Sequence, residues 1–188
     1  MSERCCKWRR FFDKDWSEAA ENFLQEINFT EWNAQQDKGR SFADGVAILS
    51  EQFPQHAHIV RALHEQWELS IDGEFEESIE ILRELKERGY PLYGLSNWSA
   101  ETFPIVHGRY DFFKLFDGIL LSGNVKLIKP DPAIFELCLK MTRKPASECL
   151  FIDDSIANIN TAKQIGFDTI HFTSSEQLRK ELELRRLL

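Results

Sequence analysis

Four short apolar runs, each followed by a helical pattern, leave this chain few choices of fold. The runs cover residues 91–95, 118–122, 149–153 and 168–172. Short buried strands that alternate with helices along a chain form a mostly parallel sheet with helices on both faces. The second half of the sequence therefore predicts an α/β fold built on an open parallel sheet.

The first part of the chain has a different pattern, which predicts helices and no strands. Apolar residues recur at helical spacing over residues 17–27, 42–53 and 58–71. This spacing places the apolar side chains on one face of each helix. Ser41 is positioned to cap the second of these helices. We therefore expect a small helical unit ahead of the sheet.

Polar residues lie at or just beyond the ends of three of the apolar runs. They are Ser96-Asn97, Lys129-Pro130 and Asp153-Asp154. Ligands of open α/β sheets bind beyond the carboxyl ends of the strands, where these three blocks are expected to lie. A hydroxyl, an ammonium group and two carboxylates at one edge suit a phosphate and a divalent metal ion.

Each block also has an ordinary structural explanation. Two carboxylates at the end of a buried strand are costly unless a cation such as Mg²⁺ offsets their charge. The ordinary alternative is that Asp154 or Ser155 caps the next helix. Lys129, held by the stiff turn at Pro130, could be a surface lysine rather than an anion ligand. Ser96 could be an ordinary cap rather than part of an anion cradle. The three blocks together favour the functional interpretation, because their spacing leaves room for one strand and one helix between them.

Charge and cysteine content narrow the range of partners. The formal net charge is -8, which argues against nucleic acid or an anionic membrane surface as the main partner, because both require a basic face. The four cysteines show no metal-binding spacing, and no stretch has the length of a membrane span or the pattern of a signal peptide. We expect a cytoplasmic protein that binds neither nucleic acid nor a membrane.

Three segments resemble the later motifs of the haloacid dehalogenase-like hydrolase superfamily. They read L-S-N-W-S at 95–99, L-I-K-P-D-P-A-I-F at 127–135 and L-F-I-D-D-S-x-x-N at 150–158. The segment E-W-N-A-Q-Q-D-K-G-R-S-F at 31–42 is similar to the small helical cap of the phosphatase-rich branch of this superfamily. The resemblance implies a Rossmann-like core over residues 74–188, a helical cap over 13–73 and an N-terminal tail over 1–12.

The resemblance also implies roles for single residues. Ser96 and Asn97 would hold the transferred phosphoryl group, and Lys129 would steady the phosphate and the nucleophile. Asp154 would bind Mg²⁺ with Asp153 beside it, and Asn158 would support their loop. The substrate would be a small phosphorylated metabolite, hydrolysed through an aspartyl-phosphate intermediate. Substrate specificity would come from cap residues that face the site. The sequence offers four candidates without favouring one: Trp32, Gln35, Gln36 and Arg40.

The superfamily's first motif, an apolar strand that ends in D-x-D, has no convincing counterpart. The upstream match, Asp13-Lys14-Asp15, follows a segment that contains Arg9 and Arg10, and two adjacent arginines are costly in a central strand. We interpret Asp13 and Asp15 as acids at the start of a helix. The central first strand and the nucleophile are then missing. Three explanations stay open: the chain is a shortened version of an active enzyme, it is a degenerate relative, or residues 1–12 pair in an unforeseen way.

Two functions remain open at this point. One is a magnesium-dependent phosphatase by ancestry, for which we expect no turnover from these 188 residues as written. The other is a catalytically inactive relative that binds a phosphorylated ligand or a protein partner through Ser96 and Lys129. The unpaired strand edges left by a missing strand also predict poor solubility or self-association.

Overall fold

The helical unit at the start of the chain has the predicted character. The computed structural model describes residues 17–71 and 73–188, so the predicted tail, Asp13 and Asp15 lie outside the described residues. Within 17–71 there are helices and no strands: α1 (Ser17–Glu26), α2 (Phe29–Asp37), α3 (Phe42–Gln52) and α4 (Ala57–Glu65). The predicted cap of α3 is present, since the Ser41 hydroxyl accepts a hydrogen bond from the Asp44 N–H at 3.0 Å. The last helix is shorter than predicted, because a 3₁₀ turn, Trp67–Ser70, replaces its C-terminal part.

One apolar cluster holds these four helices together. It consists of the buried faces of all four helices: Phe23, Trp32, Phe42, Leu49, Ile59 and Val60. The ring of Trp32 meets that of Phe42 edge-on, with centroids 6.1 Å apart. Burial of these side chains is the main stabilising contribution to this unit, at about 1.5–3 kcal/mol for a fully buried large side chain.

Strands alternate with helices through the rest of the chain. The strands are β1 (Tyr93–Ser96), β2 (Gly118–Leu121), β3 (Leu150–Asp153) and β4 (Asp168–His171). The helices are α5 (Glu76–Glu87), α6 (Phe103–His107), α7 (Ser122–Val125), α8 (Pro132–Thr142), α9 (Ile156–Ile165) and α10 (Ser175–Leu184). The helix predicted from Ser99 begins only at Phe103. The Rossmann-like α/β fold with a helical cap is confirmed.

The four strands form two two-stranded parallel sheets, an arrangement that agrees with the predicted open sheet from which a central strand is missing. β1 pairs in parallel with β2, and β3 pairs in parallel with β4. Among the described residues, no strand and no ladder connects β1 with β3. A continuous sheet would need one more strand between them, and the segment considered for it, residues 1–12, lies outside the described residues. The absence of a first strand from the chain as a whole stays a prediction.

Two apolar clusters nevertheless join the sheets into one core. On one face, α5 and α10 bury Ile81 and Leu182 against Ile152 of β3 and Leu92, which precedes β1. On the other face, α8 and α9 cover Leu95, Leu120 and Phe151, with Phe135 at the centre. Because successive residues of a strand point to opposite faces, Phe151 and Ile152 contribute to different clusters. Helices thus cover both faces, as the apolar runs predicted.

Candidate functional site

Lys129 connects the carboxyl ends of the two sheets. Its ammonium group lies 2.7 Å from the Leu95 carbonyl oxygen at the end of β1 and 2.7 Å from Asp153 Oδ2 at the end of β3. The side chains of Lys129 and Asp153 are only 10% and 7% exposed, so this ion pair is almost fully removed from solvent. A buried pair of this kind fixes the ammonium group, because either partner alone would leave an uncompensated buried charge.

Asn97 holds the main chain of Lys129. Its Nδ2 donates to the Lys129 carbonyl at 2.9 Å, and its Oδ1 accepts from the Lys129 N–H at 2.8 Å. The structure therefore brings Asn97 and Lys129 together, as their placement at strand ends predicted. It also shows that the Asn97 amide is engaged by the protein, so its visible role is to position the lysine.

Ser96 is the last residue of β1 and is half-buried. Its hydroxyl has no hydrogen-bond partner in the described part of the chain. The next residues along the chain hold Lys129, whose ammonium group contacts the carbonyl of the residue before Ser96. A hydroxyl and an ammonium group at the same strand end can bind one anion.

The two adjacent acids at the end of β3 differ in environment. The carboxylate of Asp153 accepts hydrogen bonds from Lys129, from the Ser155 N–H at 2.8 Å and from Asn158 Nδ2 at 2.9 Å. Asp154 is exposed at the same edge. Asn158, the residue expected to support this loop, thus contacts the first of the two acids.

A magnesium site fits these residues in part. Mg²⁺ binds through one or two carboxylates and completes its shell with water and phosphate oxygens. Asp154 would hold the ion, and Asp153 would contribute only if it shared its carboxylate with Lys129. Within residues 17–71 and 73–188, no group of three or more acidic, histidine or cysteine side chains could hold a metal. When bound, the ion would neutralise charge on a phosphate.

Residues of α2 form the opposite side of the site. A cavity of about 100 Å³ separates the helical cap from the core, and it is lined by Asn33, Asp37, Phe42, Trp67, Asn97, Trp98 and Thr102. Asn97 is also the residue that holds Lys129, so this cavity adjoins the end of β1. The site is therefore formed by strand ends of the core on one side and by a cap helix on the other.

Hydrogen bonds fix the cap against the core at this cavity. The Ser122 hydroxyl donates to the Asp37 carbonyl oxygen at 2.5 Å and accepts from the Trp98 N–H at 2.9 Å. The Phe42 N–H donates to a carboxylate oxygen of Glu101 at 3.1 Å. The predicted division at residue 73 thus separates two units that make specific polar contacts.

Asp37 has an unusual electrostatic environment. Burial raises the pKa of its carboxyl group from 3.8 to about 6, and a hydrogen bond from the Ser99 backbone opposes this rise. Its Oδ2 also accepts a hydrogen bond from Asn33 Nδ2 at 3.1 Å. At neutral pH the side chain is mostly ionised, and it presents a carboxylate beside aromatic walls.

The cap residues considered from the sequence lie elsewhere. Trp32 and Gln36 are buried inside the cap, while Gln35 and Arg40 line a separate hollow of about 340 Å³ between α1, α2 and α3. That hollow is the larger one, but it contains no residue of the three strand-end blocks. Asn33 and Asp37 were missed. Their spacing of four residues places them on one face of α2, next to the buried face that contains Trp32.

Comparison with known proteins gives the family. A model of the haloacid dehalogenase-like hydrolases matches residues 8–166. The chain belongs to this family. The match includes all three strand-end blocks and also residues 8–16, which the structure does not describe.

Two curated relatives of this haloacid dehalogenase-like hydrolase are phosphatases by name. A sesquiterpene phosphatase from Aspergillus oryzae is 35% identical over 108 residues, which make up 57% of this chain and 54% of that protein. A D-ribitol-5-phosphate phosphatase from Bacteroides thetaiotaomicron is 36% identical over 66 residues, which make up 35% of this chain and 32% of that protein. The chain thus spans about half or less of these relatives.

A solved structure supports the same fold. It is a HAD family enzyme from Bacteroides thetaiotaomicron in complex with magnesium and inorganic phosphate, with a TM-score of 0.64 and 25% identity. The match covers 74% of this chain and 73% of that one. In the described part of our chain, none of the helices is long and apolar enough to cross a bilayer.

Proposed function

We propose that this hydrolase acts on a small phosphorylated metabolite as a magnesium-dependent phosphatase, through an aspartyl-phosphate intermediate. The observation that carries the proposal is the Lys129 ammonium group, which is held between the ends of β1 and β3 by the Leu95 carbonyl oxygen and Asp153, at the strand end that Ser96 closes. Two phosphatases among the relatives and the magnesium and phosphate complex of the solved neighbour support this chemistry.

Lys129 and Ser96 would bind the phosphoryl oxygens, and Asp154 would bind Mg²⁺. The ammonium group would lower the repulsion between the anionic phosphate and the attacking carboxylate. Asn97 would also position the lysine, because its Oδ1 and one Nδ2 hydrogen bind the Lys129 main chain. Asp153 would keep the Lys129 ammonium group oriented.

The nucleophile is the part of the reaction that the described residues do not supply. The only acids that directly follow β1–β4 among these residues are Asp153 and Asp154, and Asp153 is paired with Lys129. The covalent step requires a further aspartate that attacks phosphorus while the ester P–O bond breaks and the alcohol leaves, and water then cleaves the aspartyl-phosphate to inorganic phosphate and the free aspartate. We propose that this aspartate lies outside residues 17–71 and 73–188.

A second function follows from the same observation. A relative that keeps Ser96 and Lys129 without a nucleophile would bind phosphorylated ligands and release no product. Ligand binding would then stabilise the folded protein in proportion to the ligand concentration.

Assays with and without Mg²⁺ separate the two functions. The full chain is incubated with an aryl phosphate, and its melting temperature is measured with inorganic phosphate, beside Ser96→Ala and Lys129→Met. Magnesium-dependent phosphate release that both substitutions reduce supports the phosphatase. Stabilisation by phosphate without release of phosphate from the ester supports the binding protein. Attachment of an apolar strand ending in D-x-D ahead of the cap then tests whether turnover can be restored. Neither release nor stabilisation would refute both functions.

A further inference from the structure

The cavity between the cap and the core has a mixed lining. Its walls are the aromatic side chains of Phe42, Trp67 and Trp98, while Asn33 and Asp37 provide polar groups from α2. Aromatic rings alone would suit any apolar group. A largely buried carboxylate among them is costly unless hydrogen-bond donors satisfy it, so its presence restricts what the cavity can hold.

The protein satisfies Asp37 only in part. Asn33 donates one hydrogen bond to its Oδ2, and the Ser99 backbone donates another to the carboxylate. An ionised carboxylate has about four acceptor positions, so two remain for other donors. A ligand hydroxyl can donate to such an oxygen, whereas an alkyl chain cannot.

The position of the cavity relates it to the proposed phosphate site. Asn97 lines the cavity and also holds the Lys129 main chain, so a phosphate bound at Ser96 and Lys129 would direct its organic group towards α2. We propose that Asp37 accepts a hydrogen bond from a hydroxyl group on the organic part of the substrate. This contact makes it a specificity residue for short hydroxylated phosphate esters. This inference rests on the proposed phosphate site.

The inference separates two kinds of substrate. Apolar esters would place hydrocarbon against a charged oxygen, and would lose the hydration of Asp37 without replacing it. Polyol esters would replace that water with a hydroxyl and would still pack their carbon atoms on Trp67 and Trp98. A hydrogen bond to a charged group contributes about 1.5–3 kcal/mol, which corresponds to roughly 10- to 150-fold in affinity.

Calorimetry with matched ligands tests the inference on the full chain. Glycerol 3-phosphate and n-propyl phosphate have the same number of carbon atoms and differ in their hydroxyls, and inorganic phosphate probes the phosphate site alone. All three are titrated with Mg²⁺ at pH 7.5. We expect glycerol 3-phosphate to bind at least about 10-fold more tightly than n-propyl phosphate. Asp37→Asn should reduce this ratio at least about five-fold, because the neutral amide is a weaker acceptor.

Asp44→Asn is the matched control, because it removes an exposed carboxylate from the same cap. It should leave the ratio of the two affinities unchanged. If inorganic phosphate binds but the two esters bind equally, or if Asp37→Asn keeps the wild-type ratio, the inference is wrong and the proposed phosphate site stands. If none of the three ligands binds, both proposals are overturned. Should Asp37→Asn not fold, the wild-type ratio alone decides the outcome.

Discussion

The core side and the cap side of the site are built in different ways. On the core side, Asn97, Lys129 and Asp153 form one hydrogen-bonded network at the ends of two strands. On the cap side, Asn33 and Asp37 line the cavity from one face of α2, and the Ser122 hydroxyl at the start of α7 binds the last residue of that helix. The core side thus positions charge through strand ends, whereas the cap side depends on how α2 is docked.

This difference suggests a division of labour. A buried ion pair tolerates little change, because the loss of either partner leaves a charge without compensation. The effect of substituting a carboxylate at the surface between cap and core can depend on the ligand, because a substrate can supply some of its hydrogen-bond partners. We therefore expect the largest effects of substitution on the core side and smaller, ligand-dependent effects on the cap side.

The largest expected effect is that of Lys129→Met. Removal of the ammonium group leaves Asp153, 7% exposed, as an unpaired buried carboxylate, and should lower the free energy of unfolding by about 3–5 kcal/mol. Urea denaturation measures the change. Lys144→Met is the control, because its pair with Glu148 is 56% exposed on both sides and its loss should change the free energy of unfolding far less. An equal loss of unfolding free energy in the two variants would show that the buried pair on the core side contributes no more than an exposed pair.

Gly123→Ala tests how tightly the core loop that lines the cavity is held. A Cβ at this position would lie 2.4 Å from the Ala100 nitrogen and 2.9 Å from the Trp98 oxygen, both backbone atoms. The loop that lines the cavity would have to move, at a cost of about 2–3 kcal/mol in unfolding free energy. Gly108→Ala is the control, since its nearest neighbour lies at 3.6 Å and the substitution should be neutral or stabilising by up to about 1 kcal/mol. A neutral Gly123→Ala would mean that the loop is not tightly fixed.

Asp37→Asn should change stability in a pH-dependent manner. Because burial raises the pKa of Asp37 to about 6, the folded state binds the proton more tightly than the unfolded state does. The stability that this group contributes is present below about pH 4 and is lost as the pH rises through 6. The variant should therefore be more stable than the wild type by about 1–3 kcal/mol at pH 8, with the gain vanishing towards pH 4.

Urea denaturation at pH 4 and pH 8 measures this difference. Glu51→Gln serves here as the control, because it removes an exposed carboxylate of α3 that makes no hydrogen bond or ion pair with the described residues, and the expected change is within about 0.5 kcal/mol. A gain in Asp37→Asn that is equal at both pH values would show that the ionisation of Asp37 does not oppose folding.

The smallest expected effect is that of Ser122→Ala. The buried Ser122 hydroxyl donates to the Asp37 carbonyl oxygen and accepts from the Trp98 N–H, so its loss should cost about 1 kcal/mol. Ser50→Ala is the matched control, because the buried Ser50 hydroxyl has no hydrogen-bond partner in the described part of the chain. Its removal should be neutral or slightly stabilising. A loss in Ser50→Ala as large as that in Ser122→Ala would argue against a role for this contact in docking α2.

The sequence by itself determined the order of the elements and the residues at the strand ends. Apolar periodicity is a local property, so the four strands and the helices between them were predictable to within a few residues. The blocks at Ser96, Lys129 and Asp153 were predictable for the same reason, since polar residues that follow a buried strand of a parallel sheet must lie at its carboxyl edge.

Only the tertiary structure decided which groups meet and which of the two adjacent acids binds Lys129. Nothing in the pair Asp153-Asp154 indicates that the first is bound by Lys129 while the second is exposed, because that depends on how two sheets approach. The face of α2 that meets the core was equally undetermined. Trp32 dominates the pattern of that helix, and the docking of the next face, through Ser122 and Asp37, results from contacts 85 residues apart in the chain.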